Sequence, residues 1–208
     1  IQNKMYLVLF LFISFFISFI IIKNLDINFL INSILLTSSF YLFFITLRDF
    51  FIKGYQNLSQ NLAHFGFSLL ILSILINNIY STEVITNLKV GQTFKSENLI
   101  IDFQSVDKKN EKNFQAIIGK FKIKELDNET IILNPELRVY NQPNIITSEA
   151  DIKTNLLKDR FITMNLVSNQ DYFNIRYQDK PFMIWIWLSV LLISFAGLMS
   201  LLKKRYEN

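Results

Sequence analysis

The chain contains four long apolar runs and, between the third and the fourth, a stretch in which apolar and polar residues alternate. Each long run contains about 18 to 22 residues with few or no charges. A helix rises about 1.5 Å per residue, so runs of this length match the ~30 Å hydrocarbon core of a membrane. The sequence therefore predicts four transmembrane helices, at about 5–22, 29–47, 61–80 and 181–202.

Residues 81–180 lack long apolar runs and show a period of two instead. Leu99, Ile101 and Phe103 occupy alternate positions, and Phe121 and Ile123 alternate with lysines. This alternation is typical of strands with one buried face. We therefore expect an antiparallel β sandwich or small barrel between the third and fourth helices.

Local signals suggest further elements of this β domain. More strands are expected where apolar residues repeat with the same period: Thr130–Leu133, Leu137 with Val139, Ile162 with Met164 and Leu166, and Phe173 with Ile175 and Tyr177. Asp127 and Asn128 are plausible residues for a hairpin turn between two of these strands. The segment Glu149–Lys158 is expected to form one short helix.

Residues near two of the apolar runs are expected to mark helix starts. Asn57 or Ser59 can cap the third helix by accepting hydrogen bonds from free backbone N–H groups of its first turn. Pro181 is expected at the first position of the fourth helix, where its missing N–H costs no hydrogen bond.

Positive charges predict the orientation of the chain. Lys203, Lys204 and Arg205 follow the fourth helix directly, which indicates that residues 203–208 form a basic cytoplasmic tail. Residues 81–180 then lie outside. The predicted fold class is an integral membrane α-helical protein with an inserted extracytoplasmic all-β domain.

Composition excludes several classes of protein. The chain has no cysteine, so it has neither disulfides nor thiolate chemistry. Its net charge of +4 is modest, and no arginine-rich stripe with interleaved aromatic residues favours nucleic acid as a partner. Because the sequence opens on Ile1, with Met5 close behind, we expect a fragment of a longer protein.

His64 is the single histidine of the 208 residues and lies early in the third predicted helix. Ionisable side chains are costly within a membrane, so this residue is a functional candidate. One interpretation is a structural histidine that is hydrogen-bonded to a neighbouring helix. The other is an axial haem ligand, since a neutral imidazole on a rigid helix suits haem iron. A second histidine ligand would have to come from another segment or another chain.

No catalytic residue is predicted from the sequence. The single histidine lies in a membrane helix, so no serine triad is expected, and neither a phosphate-binding glycine loop nor paired zinc-binding histidines are present. Four carboxylates of the β domain are candidates for general acids but are expected instead to be solvated or to cap turns: Glu136, Glu149, Asp151 and Asp159.

Five stretches, in the same order, resemble motifs of one family of membrane proteins: Ser59–Gly66, Glu83–Gln92, Pro135–Tyr140, Thr147–Asp159 and Lys180–Leu188. The first contains Ala63-His64-Phe65-Gly66, which is similar to the "AHxG" signature of the CcmF family, the haem lyases of cytochrome c maturation. The third resembles "PExRxY", and the last resembles "KPFVxWIWLG", with Ser189 where a glycine is expected. The resemblance covers the C-terminal part of the family.

This resemblance implies a specific function. Family members take haem from a haem chaperone, help to attach it to the CxxCH cysteines of apocytochrome c, and work with other maturation subunits. They also hold a membrane haem b between two histidines. His64 matches one of these, and the other lies outside this chain. The segment is expected to be part of a haem lyase system and not catalytically complete alone, either as a fragment of a longer protein or as one chain of a split protein. The implied location is the bacterial inner (plasma) membrane with the β domain periplasmic, or the mitochondrial inner membrane if the source is organellar.

Other functions stay open at this stage. One alternative is a non-catalytic membrane scaffold or assembly subunit with a partner-binding extracytoplasmic domain. Another is the related haem lyase dedicated to cytochrome c nitrite reductase. A third is a transporter permease, which predicts polar residues spread over several spans, whereas the first span here has almost none.

Overall fold

The computed structural model describes residues 4–23, 25, 28–53, 57–125, 130–167 and 171–207. They form two compact units. One is a helical unit built from the segments on either side of the other, which is the β domain, Ser81–Pro181. The predicted fold class, membrane helices with an inserted all-β domain, is confirmed.

The helical unit contains four helices in its described residues: α1 (Met5–Ile22), α2 (Phe29–Lys53), α3 (Leu58–Tyr80) and α4 (Met183–Glu207). All four are long and apolar enough to cross a membrane. Helix α1 packs on α2, α2 on α3, and α3 on α4, so the four helices form a row. Many large apolar side chains of this row face outward, as expected for lipid contact. The chain is thus a multi-pass membrane protein.

Three helices extend further than expected: α3 begins at Leu58, α4 ends at Glu207 and α2 ends at Lys53. Helix α2 continues past Leu47 to Lys53, because the charged side chain of Arg48 has contacts there. There Arg48 lies over the ring of Tyr6 on α1, with 3.8 Å between the guanidinium carbon and the ring centroid, and also contacts Asp49.

The expectation that Pro181 begins α4 is wrong. Pro181 is the last residue of a strand, where it pairs with Lys158. Phe182 follows with a positive φ of 60°, which breaks the extended backbone, and α4 starts at Met183.

The β domain is a sandwich of two antiparallel sheets. Its strands in the described residues are β1 (Thr82–Leu88), β2 (Thr93–Lys95), β3 (Leu99–Asn110), β4 (Phe114–Glu125), β5 (Thr130–Leu133), β6 (Glu136–Asn141), β7 (Asn144–Glu149), β8 (Asp151–Thr154), β9 (Lys158–Leu166) and β10 (Phe173–Pro181). One sheet has the order β1-β10-β9-β8. The other has the order β2-β3-β4-β6-β7, with β5 paired to β4.

The core of the sandwich consists of the residues that the period of two predicted. Phe103 and Phe121 stack at its centre, with ring centroids 4.3 Å apart. Ile123, Ile162 and Ile175 are fully buried around them. Burial of these apolar side chains from both sheets is the main source of stability of this domain.

All strands expected from alternating apolar residues are present, but the expected helix at Glu149–Lys158 is wrong. This segment forms β8, a turn and the start of β9. The spacing of Ile152, Leu156 and Leu157 resembles a helical face, yet all three side chains are exposed. The expected turn at Asp127 and Asn128 lies outside the described residues.

Candidate functional site

Helix α3 carries His64, and one of its faces packs closely on α4. A Cβ atom added at Gly66 would lie 3.0 Å from Ile193 Cγ1 and 3.2 Å from the backbone oxygen of Ser189. The Ser59 hydroxyl donates a hydrogen bond of 2.9 Å to the carbonyl of Ala196. Ser59 therefore does not cap α3, which was one of the two expectations for this helix start, but ties the helix to α4.

The residue that departs from the family motif lies at this contact. Ser189 is fully buried, where the resemblance leads one to expect glycine. Its hydroxyl donates to the carbonyls of Trp185 (2.7 Å) and Ile186 (2.8 Å) on its own helix. A small side chain whose hydroxyl is satisfied within α4 is compatible with the close approach of the two helices.

A second face of α3 packs on α2. The ring of Phe65 lies between those of Phe43 and Phe50, with centroid distances of 5.7 Å and 5.8 Å. The hydroxyl groups of Thr46 and Ser68 form a buried hydrogen bond of 2.6 Å between the helices. Contacts on two sides therefore fix the rotation of α3 about its own axis.

The remaining face of α3, here called the exposed face, contains the candidate ligand. Its exposed residues are spaced by three, four or seven positions, as on one side of a helix: Gln60, His64, Phe67, Ile74 and Asn78. Phe67 is 54% exposed and Ile74 is 48% exposed. This face combines apolar and polar side chains in a membrane helix, which is typical of a surface that contacts another helix or a cofactor.

His64 lies about 9 Å along α3 from its first residue, at a rise of about 1.5 Å per residue. Its side chain is exposed in this chain. Within the described residues the ring has no hydrogen-bonding partner. The structural interpretation, a histidine bonded to a neighbouring helix, therefore finds no partner in the described helices.

The residues present fit one half of a haem site. An outward-facing imidazole on a helix of fixed rotation can reach an iron atom beside that helix. No group of three or more potential metal-ligating side chains occurs among the described residues, so they form no metal site of their own. His64 is the single histidine of the sequence, so a second histidine ligand would have to come from another chain or segment.

Three of the four carboxylates considered as general acids have structural contacts. Glu136 accepts a hydrogen bond of 3.0 Å from Arg138, and Asp151 accepts one of 2.6 Å from the backbone N–H of Asn134. Glu149 accepts one from the Thr147 hydroxyl. These contacts give no arrangement for acid catalysis.

The sequence did not predict a cluster of charged side chains at one end of the β domain. The members of this ionic cluster come from three strands: Glu125, Lys158, Arg160, Tyr177 and Asp179. Glu125 accepts hydrogen bonds from Lys158 (2.7 Å), Arg160 (2.9 Å) and Tyr177 (2.7 Å). Alternation along a strand indicates only which face each residue occupies. It does not show which residues of distant strands lie side by side, so the cluster could not be predicted. A cavity of about 360 Å³ borders the cluster.

Comparison with known proteins agrees with this architecture. Residues 79–181 match the family model described as the CcmF C-terminal beta-sandwich. The cytochrome c-type biogenesis protein CcmF of Pseudomonas fluorescens is 25% identical over 161 residues, which cover 75% of this chain and 24% of the relative. The cytochrome c-type biogenesis protein ccl1 of Rhodobacter capsulatus is 27% identical over 146 residues, 70% of this chain and 22% of the relative.

A solved structure shares the fold of nearly the whole chain. The cytochrome c haem lyase CcmF superposes with a TM-score of 0.69 at 16% identity, over 95% of this chain and 34% of that one. The chain is thus one of the membrane proteins that carry a β sandwich between two transmembrane helices. Within that class, the chain is similar to the C-terminal part of CcmF, and the family model, the relatives and the solved structure support the resemblance that its motifs gave. It spans about a quarter of the length of the curated relatives.

Proposed function

We propose that this chain forms the C-terminal part of a haem lyase in cytochrome c biogenesis, with His64 as one axial ligand of a membrane haem b. The observation that carries this proposal is the exposure of His64 on the one face of α3 that neither α2 nor α4 covers. The names of the relatives and of the solved structure support the process and the reaction class.

The residues of this chain would act by positioning. Gly66 and Phe65 hold α3 against α4 and α2, so the imidazole of His64 has a fixed direction. A helix with the second histidine would pack beside the exposed face, near Gln60 and Phe67. When bound, haem supplies an iron atom that can carry one electron. The apolar side chains Phe67 and Ile74 would keep water from that site.

The proposed orientation places the β domain in the periplasm. The basic residues at the end of α4, beyond its apolar span, favour the cytoplasmic side, so the domain between α3 and α4 would face the opposite side. There it could meet a haem chaperone, apocytochrome c and other maturation subunits. The chain would take part in haem transfer together with those components and with the second histidine.

The proposal is tested by the visible spectrum of this chain purified with its natural membrane partners. The wild type should show a low-spin b-type spectrum on reduction. His64→Gly should lose the part of the α-band that this ligand supports, and added imidazole should restore it, because the small ligand fills the space of the missing side chain.

Ser38→Gly is the matched control, since it also places a glycine at an exposed position of a membrane helix. Its spectrum should equal that of the wild type. A wild-type complex without haem, with all partners present and folded, would refute the ligand role and favour the scaffold function. An unchanged spectrum of the His64 variant would also refute it.

A further inference from the structure

We propose that the turn between β8 and β9 inserts into the membrane interface through Leu156 and Leu157. These adjacent residues are 68% and 66% exposed. They are the two most exposed large apolar side chains in the described part of the β domain. Two neighbouring leucines at the tip of a turn form a small exposed apolar surface, and contact of such a surface with water is unfavourable.

The turn itself does not need these leucines. The side-chain oxygen of Asn155 accepts hydrogen bonds from the backbone N–H groups of Leu157 (2.9 Å) and Lys158 (2.8 Å). The backbone N–H of Asn155 also bonds to the carbonyl of Lys158 at 3.0 Å. Asn155 thus closes the turn, and both leucine side chains are exposed on it.

Strand register places this turn at the end of the β domain that is joined to the membrane helices. Lys158, the first residue of β9, pairs with Pro181, the last residue of β10. Only Phe182 separates Pro181 from the start of α4. At the same end, Asp179 pairs with Thr82, and a single residue separates Thr82 from α3.

The distances are short compared with the thickness of the interface. Leu157 directly precedes Lys158, which pairs with Pro181 at the end of β10. Adjacent strands are about 4.8 Å apart, so the turn between β8 and β9 lies about 5–10 Å to the side of β10. Pro181 lies two residues before the membrane-spanning helix α4. The proposed insertion therefore needs the leucines to reach only the headgroup layers, which add roughly 10–15 Å to the hydrocarbon thickness in total.

Charge around the turn suits a lipid surface. Lys153 is exposed and lies three residues before Leu156. Lys180 lies on the neighbouring end of β10, with its ammonium group 5.9 Å from the ring centroid of Phe161. An apolar tip beside basic residues is the arrangement that binds an interface containing anionic headgroups. We therefore assign lipid as the occupant.

The absence of cysteine from the sequence allows a direct test. Leu156→Cys and Leu157→Cys are each labelled with an environment-sensitive fluorophore in the full chain. The labelled protein is placed in vesicles of phosphatidylethanolamine and phosphatidylglycerol. We expect blue-shifted emission at both positions and strong quenching by lipids with a spin label near the headgroup.

Ile145→Cys is the matched control. Ile145 is also an apolar residue of the β domain and is 50% exposed. It pairs with Tyr140, and Tyr140 pairs with Phe114 at the start of β4. Glu125, which lies near the turn between β8 and β9, is at the other end of β4. The label at Ile145 should not be quenched by lipid. Unquenched, water-like emission at Leu156 and Leu157 would overturn the proposal. Blue-shifted emission without lipid quenching would also overturn it and would indicate a protein partner.

Discussion

Gly66 sets the distance between α3 and α4, and it lies two residues from His64. The atoms that a Cβ would meet at 3.2–3.3 Å are backbone atoms of Ser189 and Ile193, which cannot rotate away. Gly66→Ala should therefore push the helices apart and cost about 1–3 kcal/mol, the usual cost of overpacking. Unfolding by sodium dodecyl sulfate, followed through Trp185 and Trp187 of α4, measures this loss.

The same substitution at Gly197 provides the control for Gly66→Ala. No atom lies within 4 Å of a Cβ built at Gly197, so Gly197→Ala should be neutral or slightly stabilising. Equal stability of the two variants would show that α3 and α4 do not pack through Gly66. It would also weaken the argument that packing of α3 on α2 and α4 fixes the direction of the His64 imidazole.

At the scale of residues, the sequence was informative about His64 but not about its surroundings. A single histidine in an apolar helix is conspicuous, because membranes penalise ionisable groups. Which side of the helix it faces depends on Gly66, Phe65 and Ser68, whose partners are distant in sequence. Only the folded helices show that these neighbours leave His64 exposed.

At the scale of elements, the ionic cluster joins the ends of β4, β9 and β10. Burial alone would raise the pKa of the Glu125 carboxyl, but hydrogen bonds from Lys158 and Tyr177 and the charge of Arg160 hold this pKa below its usual 4.5. Burial raises the pKa of Asp179 above its usual 3.8, despite the bond from Lys158. The two carboxyls of one cluster thus affect stability in opposite directions.

These shifts predict different outcomes for two isosteric variants. A lowered folded-state pKa means that Glu125 stabilises the β domain above pH 4.5, and that this contribution is lost as pH falls. Glu125→Gln should therefore speed hydrogen exchange of β9 and β10 at neutral pH. A raised pKa means that ionised Asp179 opposes folding at neutral pH, so Asp179→Asn should leave exchange unchanged or slower.

Hydrogen exchange of the full chain, compared with the wild type at each pH, measures both effects. The difference between the wild type and Glu125→Gln should shrink as pH falls below 4.5, because the wild-type carboxylate becomes protonated. Faster exchange in Asp179→Asn than in Glu125→Gln at neutral pH would contradict this account of the cluster.

Elements with one buried face were predictable, and exposed ones were not. Phe121 and Ile123 alternate because β4 buries one face, so the period of two identified the strand. In the short strand β8, Ile152 faces outward, and its spacing from Leu156 and Leu157 is also that of a helix. Apolar residues that do not face the core carry no information about the period of their element.

At the scale of the whole molecule, the proposed orientation rests on the few basic residues at the end of α4, beyond its apolar span. Cysteine substitutions are again informative, because the chain has none of its own. Lys122 is exposed on β4, so Lys122→Cys in intact cells with a permeabilised outer membrane should react with a membrane-impermeant maleimide. Asn208→Cys, which keeps Lys203, Lys204 and Arg205 in place, should react only after the inner membrane is disrupted.

This labelling experiment bears on every partner proposed for the chain. The cysteine-free wild type shows the background, and labelling of both variants after disruption shows that both thiols are accessible. If Asn208→Cys instead reacts in intact cells and Lys122→Cys does not, the β domain lies in the cytoplasm. A periplasmic haem chaperone could then not reach it, whereas the exposed face of α3 and the ligand role of His64 would be unaffected. The orientation and the haem site therefore rest on independent observations and can fail separately.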